Sequence, residues 1–132
     1  MKKIILLMSI MVFTISCSKE KSETETELIG QWKLIEVNAD PGDGSGTFQS
    51  VESDKVVVFL KNGTVTSNGT ICHISIESNN PTSGTYSISD STISSSDCVQ
   101  TELDISFELI NSILILRYPC IEGCQEKFKK IN

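Results

Sequence analysis

Ile105-Ser106-Phe107-Glu108-Leu109-Ile110-Asn111-Ser112-Ile113-Leu114-Ile115-Leu116-Arg117-Tyr118 is the stretch on which the fold turns. Two apolar runs flank a short polar pair. If the chain reverses near Asn111-Ser112, Leu109 opposes Leu114, Phe107 opposes Leu116 and Ile105 opposes Tyr118. Directly opposed residues of an antiparallel pair share a face. Leu103, Ile105, Phe107, Leu109, Leu114, Leu116 and Tyr118 then point to one side. Asp104, Ser106, Glu108 and Arg117 point to the other, with Arg117 within reach of Asp104. One face greasy and one face polar is the pattern of a half-buried antiparallel sheet.

The same alternation recurs along the chain. Short runs at residues 31–38, 55–61, 64–69, 84–89, 92–96, 102–109, 113–118 and 125–131 are separated by Gly, Asn, Asp, Pro and Ser. Asn62-Gly63 is a type I′ hairpin signal. A two-residue loop there sets Leu60 opposite Val65 and puts Val56 and Val58 on the same inner face. A turn at Asp90-Ser91 sets Ile88 opposite Ile93, with Tyr86 on their side. No window offers a capped helical stripe. The expected fold is all-β, an eight-stranded antiparallel up-and-down barrel over residues 28–132, a shape that leaves no free sheet edge. Val58, Tyr86, Ile105, Phe107, Leu116 and Tyr118 are the candidates for lining a ligand cavity inside it.

Strand direction places the cysteines. With the Asn62-Gly63 turn at the bottom, Cys72, Cys98, Cys120 and Cys124 all fall at the top, provided residues 71–83 are a connection rather than a ninth strand. An even number of cysteines in an exported chain points to two disulfides. Cys72–Cys98 with Cys120–Cys124 is the leading connectivity, and Cys98–Cys120 with Cys72–Cys124 stays open. Zinc is disfavoured, because the paired Cys-x-x-Cys knuckles are absent.

Export is read from the N-terminus. Met1-Lys2-Lys3 precedes an apolar run over residues 4–15, broken by Ser9 and Thr14. That run is shorter than the ~20 residues that span a bilayer as a helix, so it reads as a signal peptide over residues 1–16. Thr14-Ile15-Ser16-Cys17 resembles the lipobox of bacterial lipoproteins, with Thr14 where leucine is usual. The resemblance implies cleavage before Cys17 and acylation of its sulfur, and Lys19-Glu20 is familiar from Bacteroidota lipoproteins. Residues 17–27 then form an acidic tether from lipid to domain. The implied partner is a lipid bilayer, and the implied location is the cell envelope, at the outer membrane.

Composition closes off other classes. The chain has 132 residues, 11 Lys plus Arg against 17 Asp plus Glu, and a formal charge of −6. Removing Lys2 and Lys3 leaves 9 against 17, or −8. Such a chain is a poor match for a phosphate backbone, so no nucleic-acid partner is expected. A single histidine rules out multi-histidine metal sites. His73 beside Cys72 is no nucleophile pair, since neighbours on an extended chain point apart. No residue set has the nucleophile–base–orienter form, so neither an enzyme nor a cofactor is expected. The acids of the long loop 39–54, Asp40, Asp43 and Glu52, do not have calcium-loop spacing, so no metal is expected there. Asn62-Gly63-Thr64 and Asn68-Gly69-Thr70 read as turns rather than glycosylation sites.

Gly30-Gln31-Trp32-Lys33-Leu34, then Asn62-Gly63-Thr64-Val65, then Gly84-Thr85-Tyr86-Ser87 resembles the lipocalin-like domain of Bacteroidota lipoproteins. The likeness implies that Trp32 plugs the closed end under a basic side chain of the last strand, Lys129 or Lys130, and that loop 39–54 is a lid over the open mouth. The function it suggests is binding of a small apolar ligand at the open end. The alternative is a protein-binding module, an adhesin, assembly component or inhibitor, with a solid core and working loops.

Overall fold

A computed structural model describes residues 19–99 and 104–132. The signal peptide, Cys17 and Leu103 lie outside the described residues. In chain order the elements are α1 (Lys19–Leu28), β1 (Gly30–Ala39), β2 (Gln49–Ser50), β3 (Val56–Phe59), β4 (Thr64–Ser67), β5 (Thr82–Ser87), β6 (Thr92–Ser94), β7 (Ile105–Ile110), β8 (Ile113–Tyr118) and β9 (Cys124–Lys130).

Each strand from β3 to β9 pairs antiparallel with the next, and β9 returns to β1 from Trp32↔Lys130 to Ala39↔Cys124, closing the barrel. A bulge between Leu34 and Glu36 bends β1 as it wraps. The other edge of β1 is shared. Its first half pairs with β3, Gly30↔Phe59 to Lys33↔Val56, and its second half with β2 at Glu36↔Ser50 and Val37↔Gln49. Eight strands therefore close, and β2 continues the wall where β3 stops.

The β7–β8 hairpin has the register read from the sequence, Leu109↔Leu114 and Phe107↔Leu116. Its turn is the type I′ one: Asn111 and Ser112 both have positive φ, 50° and 62°. The β3–β4 hairpin does not have the expected register. Leu60 accepts a hydrogen bond from Gly63 N at 3.1 Å and donates its own N–H to Thr64 at 2.9 Å. Lys61 and Asn62 are the turn's centre, and Gly63, at φ 82°, follows as the left-handed residue. A three-residue loop replaces a two-residue one, so the register slips by one and every β3 side chain, Val56 included, changes face while Val65 stays inward. Phe59 opposes Val65, and Val57 and Phe59 are fully buried. Val58 is corrected to the outer face, and Leu60 is 41% exposed.

Two smaller corrections follow from turn length and reach. Tyr86, not Ile88, opposes Ile93, because residues 88–91 all belong to the β5–β6 loop. Arg117 pairs with Glu108 at 2.6 Å, while Asp104 accepts from Ser94 at 2.8 Å. The expected tether is helical from Lys19 onward, as α1. Its end is built into the barrel: Leu28 is fully buried and its carbonyl accepts the Trp32 indole N–H at 2.8 Å.

The core runs the length of the barrel. Trp32, Leu34, Val57, Phe59, Val65, Ile93, Ile105, Phe107, Leu114, Leu116 and Phe128 form one cluster with Leu28 and Ile71. Phe59 sits edge-on to Tyr86 and Phe107, with centroids 5.1 and 5.9 Å away.

Candidate functional site

The barrel interior is packed. Ile105, Phe107 and Leu116 are buried against one another's strands, and Tyr86 is half-buried beside Phe59. Trp32 closes the bottom at 1% exposure, with the Lys130 ammonium 5.4 Å from its ring centroid. Of the two lysines that the family resemblance set beside Trp32, Lys130 is the one over the ring. Lys130 also donates to the Glu27 carbonyl at 2.6 Å, tying α1 across the same end.

Towards the top the interior changes character. Lys55 and Glu126 are both fully buried. The Lys55 ammonium lies 2.9 and 2.8 Å from the two Glu126 oxygens and donates to the Ser75 carbonyl at 3.1 Å. Glu126 also accepts the Ser75 N–H at 2.8 Å and the Tyr118 hydroxyl. Burial pulls the Lys55 ammonium below its ordinary range, against the pull of Glu126. Burial, then the neighbouring carboxylate, pushes the Tyr118 phenol well above its own. A buried charge must be paired and fully hydrogen-bonded, and these groups satisfy one another.

The signal for this cluster is present in the sequence. Phe59, Val57 and Lys55 share one face of the chain entering β3, and Phe128 and Glu126 share one face of β9. Period two carries both charges inward once Phe59 and Phe128 are known to point there. Sequence reading missed the pair because the Asn62-Gly63 turn had the wrong loop length.

Ser75 belongs to the β4–β5 connection, residues 68–81, which folds over the mouth. Ile71 is fully buried in the core, and Ile74 packs against it. Thr82 Oγ1 accepts the Ile71 N–H at 3.0 Å and donates to the Gly69 carbonyl at 2.9 Å. Ser53 donates to the Ile76 carbonyl at 2.7 Å. A Cβ on Gly69 would collide with the Glu77 carbonyl, so only glycine lets the two arms of this connection close on each other.

The β4–β5 connection, not loop 39–54, is thus the cover of the barrel. Loop 39–54 runs beside it: Asp40 N donates to the Gly123 carbonyl of the β8–β9 turn at 3.0 Å, and Val51 packs against the core. The Asp40 carboxylate accepts N–H bonds from Gly42 at 2.8 Å, Gly44 at 3.2 Å and Gly46 at 3.1 Å. The Gly42 bond is the main reason its carboxyl titrates below the usual range. Phe48 lies under the Lys127 ammonium, 3.8 Å from centroid to nitrogen. Among the described residues, no three His, Cys, Asp or Glu side chains stand together as a metal site.

The disulfides are Cys72–Cys98 and Cys120–Cys124. Beside the first lies a groove of about 800 Å³. Cys72, Cys98, Pro81, Val99 and Pro119 supply its apolar wall, and Thr70, His73, Asn80, Thr82 and Asp97 its polar one. Pro119, next to Cys120, brings the second disulfide to the same rim. Of the interior candidates, Tyr86 alone borders a described cavity, a smaller one of about 290 Å³ at the bottom with Glu25, Lys61, Gly63, Ile88 and Ser89.

Residues 28–129, from the buried end of α1 to β9, match the family model of the Lipocalin-like domain. The chain belongs to that family. No curated protein and no solved structure matches it. In this lipocalin-like domain the candidate lining residues Ile105, Phe107, Leu116 and Tyr118 pack into the buried core, together with Ile71 of the β4–β5 connection. The larger of the two cavities described lies at the rim.

Proposed function

We propose that the chain is an outer-membrane lipoprotein, anchored through acylated Cys17, whose lipocalin-like barrel binds a small, largely apolar molecule at the open end. The binding place in this reading is the rim groove beside Cys72–Cys98, not the barrel axis. The observation that carries it is the groove itself: at about 800 Å³ it falls within the size range of small-molecule sites, and it joins an apolar wall to a few polar groups. Catalysis has no part in this reading, and Cys72, held in a disulfide, supplies no thiolate to His73.

The test is titration with a panel of fluorescent fatty-acid and retinoid probes. Saturable binding that His73→Trp abolishes, and that Ile110→Ser at the opposite end leaves intact, is the expected result. No saturable binding by any probe would overturn the ligand reading. It would leave the protein-binding alternative, which Val99 and Ile121 favour: both are fully exposed, at 98% and 102%, near the same rim. The anchor is tested separately, since Cys17→Ser should release the protein from membranes.

A further inference from the structure

Three exposed aliphatic side chains gather at the closed end of the barrel. Leu60 stands at the β3–β4 turn, Ile110 at the β7–β8 turn and Ile131 just beyond β9, at 41%, 42% and 52% exposure. The pairings Gly30↔Phe59, Trp32↔Lys130 and Ile113↔Lys129 put all three at the level of the Trp32 plug. Lys61, Lys129 and Lys130 stand among them. Glu23, Glu25 and Glu27 of α1 and Asp90 of the β5–β6 turn carry the opposing charge, so the end is apolar at its tips and mixed in sign around them.

α1 enters at this same end. Its last turn is held by the buried Leu28, by the Trp32 indole on the Leu28 carbonyl and by Lys130 on the Glu27 carbonyl. Ten helical residues span about 15 Å. Cys17 precedes Lys19 by two residues, which reach about 7 Å more at full extension. Along the barrel, β1 has ten residues, about 33 Å of strand. Tilted as barrel strands are, by about 40°, they raise the rim about 25 Å above the closed end. An anchor on Cys17 therefore reaches at most about 22 Å from the closed end, about the height of the wall, which favours orientations with the closed end towards the bilayer.

We propose that the closed end, with Leu60, Ile110 and Ile131 at its tips, lies against the lipid bilayer and turns the rim groove away from it. This rests on the reading of Cys17 as the acylated anchor. The aliphatic tips make the contact, and the charges around them, three lysines against four acids, nearly cancel, so it needs no anionic lipid.

The test uses the full mature chain, purified from membranes and reconstituted into phosphatidylcholine vesicles with brominated acyl chains. Trp32 is the sole native tryptophan and provides a constant background. Ile110→Trp, Leu60→Trp and Val99→Trp each add one indole at an exposed position. The closed-end indoles should lose most of their added emission to bromine, and the Val99→Trp indole none. Quenching at Val99→Trp, or at neither end while the protein floats with the vesicles, overturns the orientation. An unacylated mature N-terminus, or a Cys17→Ser chain that floats equally well, overturns the anchor and the orientation with it.

Discussion

Lys55 carries an ammonium into a space whose other walls are Phe128 and Tyr118, with ring centroids 5.9 and 6.0 Å away. It is tolerated there because Glu126 meets it with both oxygens and the Ser75 backbone takes up what remains. Removing one member leaves the other buried and unpaired. Lys55→Met should therefore lower unfolding free energy by about 3–5 kcal/mol, read from urea titration. Lys55→Met with Glu126→Leu should recover part of that loss. The remainder falls on the Ser75 N–H and the Tyr118 hydroxyl, which lose their acceptor at about 1–3 kcal/mol each. A double variant no better than Lys55→Met alone would show that the charge is not what matters.

At the scale of elements, the β4–β5 connection is the unusual part. Fourteen residues without strand or helix hold a buried isoleucine, a backbone grip on the central carboxylate and one end of a disulfide. Cys72–Cys98 ties it to the loop after β6, across a sequence separation of 26, whereas Cys120–Cys124 spans only 4. Chain-entropy arithmetic assigns about 3.5 kcal/mol to the first bond and about 2 kcal/mol to the second. Replacing Cys72 and Cys98 by alanine should therefore lower the urea midpoint more than replacing Cys120 and Cys124. The reverse order would mean that the cover is held by Glu126 and packing alone.

Over the whole molecule the barrel wall is uneven. β1 and β9 pair at seven positions and β8 and β9 at six, but among the described residues β6 and β7 pair at two, Thr92↔Ser106 and Ile93↔Ile105. The barrel should open first along that seam. Native-state hydrogen exchange is the measurement: the Leu34 and Phe128 amides should exchange only by global unfolding, and the Ile93 amide through a smaller opening. Equal protection at both places would make the barrel a single cooperative unit.

Strand count, antiparallel order, the β7–β8 register and the gathering of four cysteines at one rim were all readable from residues 28–132. Each rests on a local rule: side chains alternate along a strand, turns follow short polar pairs, and antiparallel chains reverse end for end. The inward face of β3 was not readable. Residues 56–60 are apolar without a break, so either face fits the core, and a turn one residue longer moved Val58 out and Phe59 in. Nor was the filled interior, since the partners that admit Lys55 lie 20 residues away at Ser75 and 71 away at Glu126. A buried charge is acceptable or ruinous according to what stands across the barrel from it, and closure of the sheet, not the order of neighbours along the chain, brings those groups together.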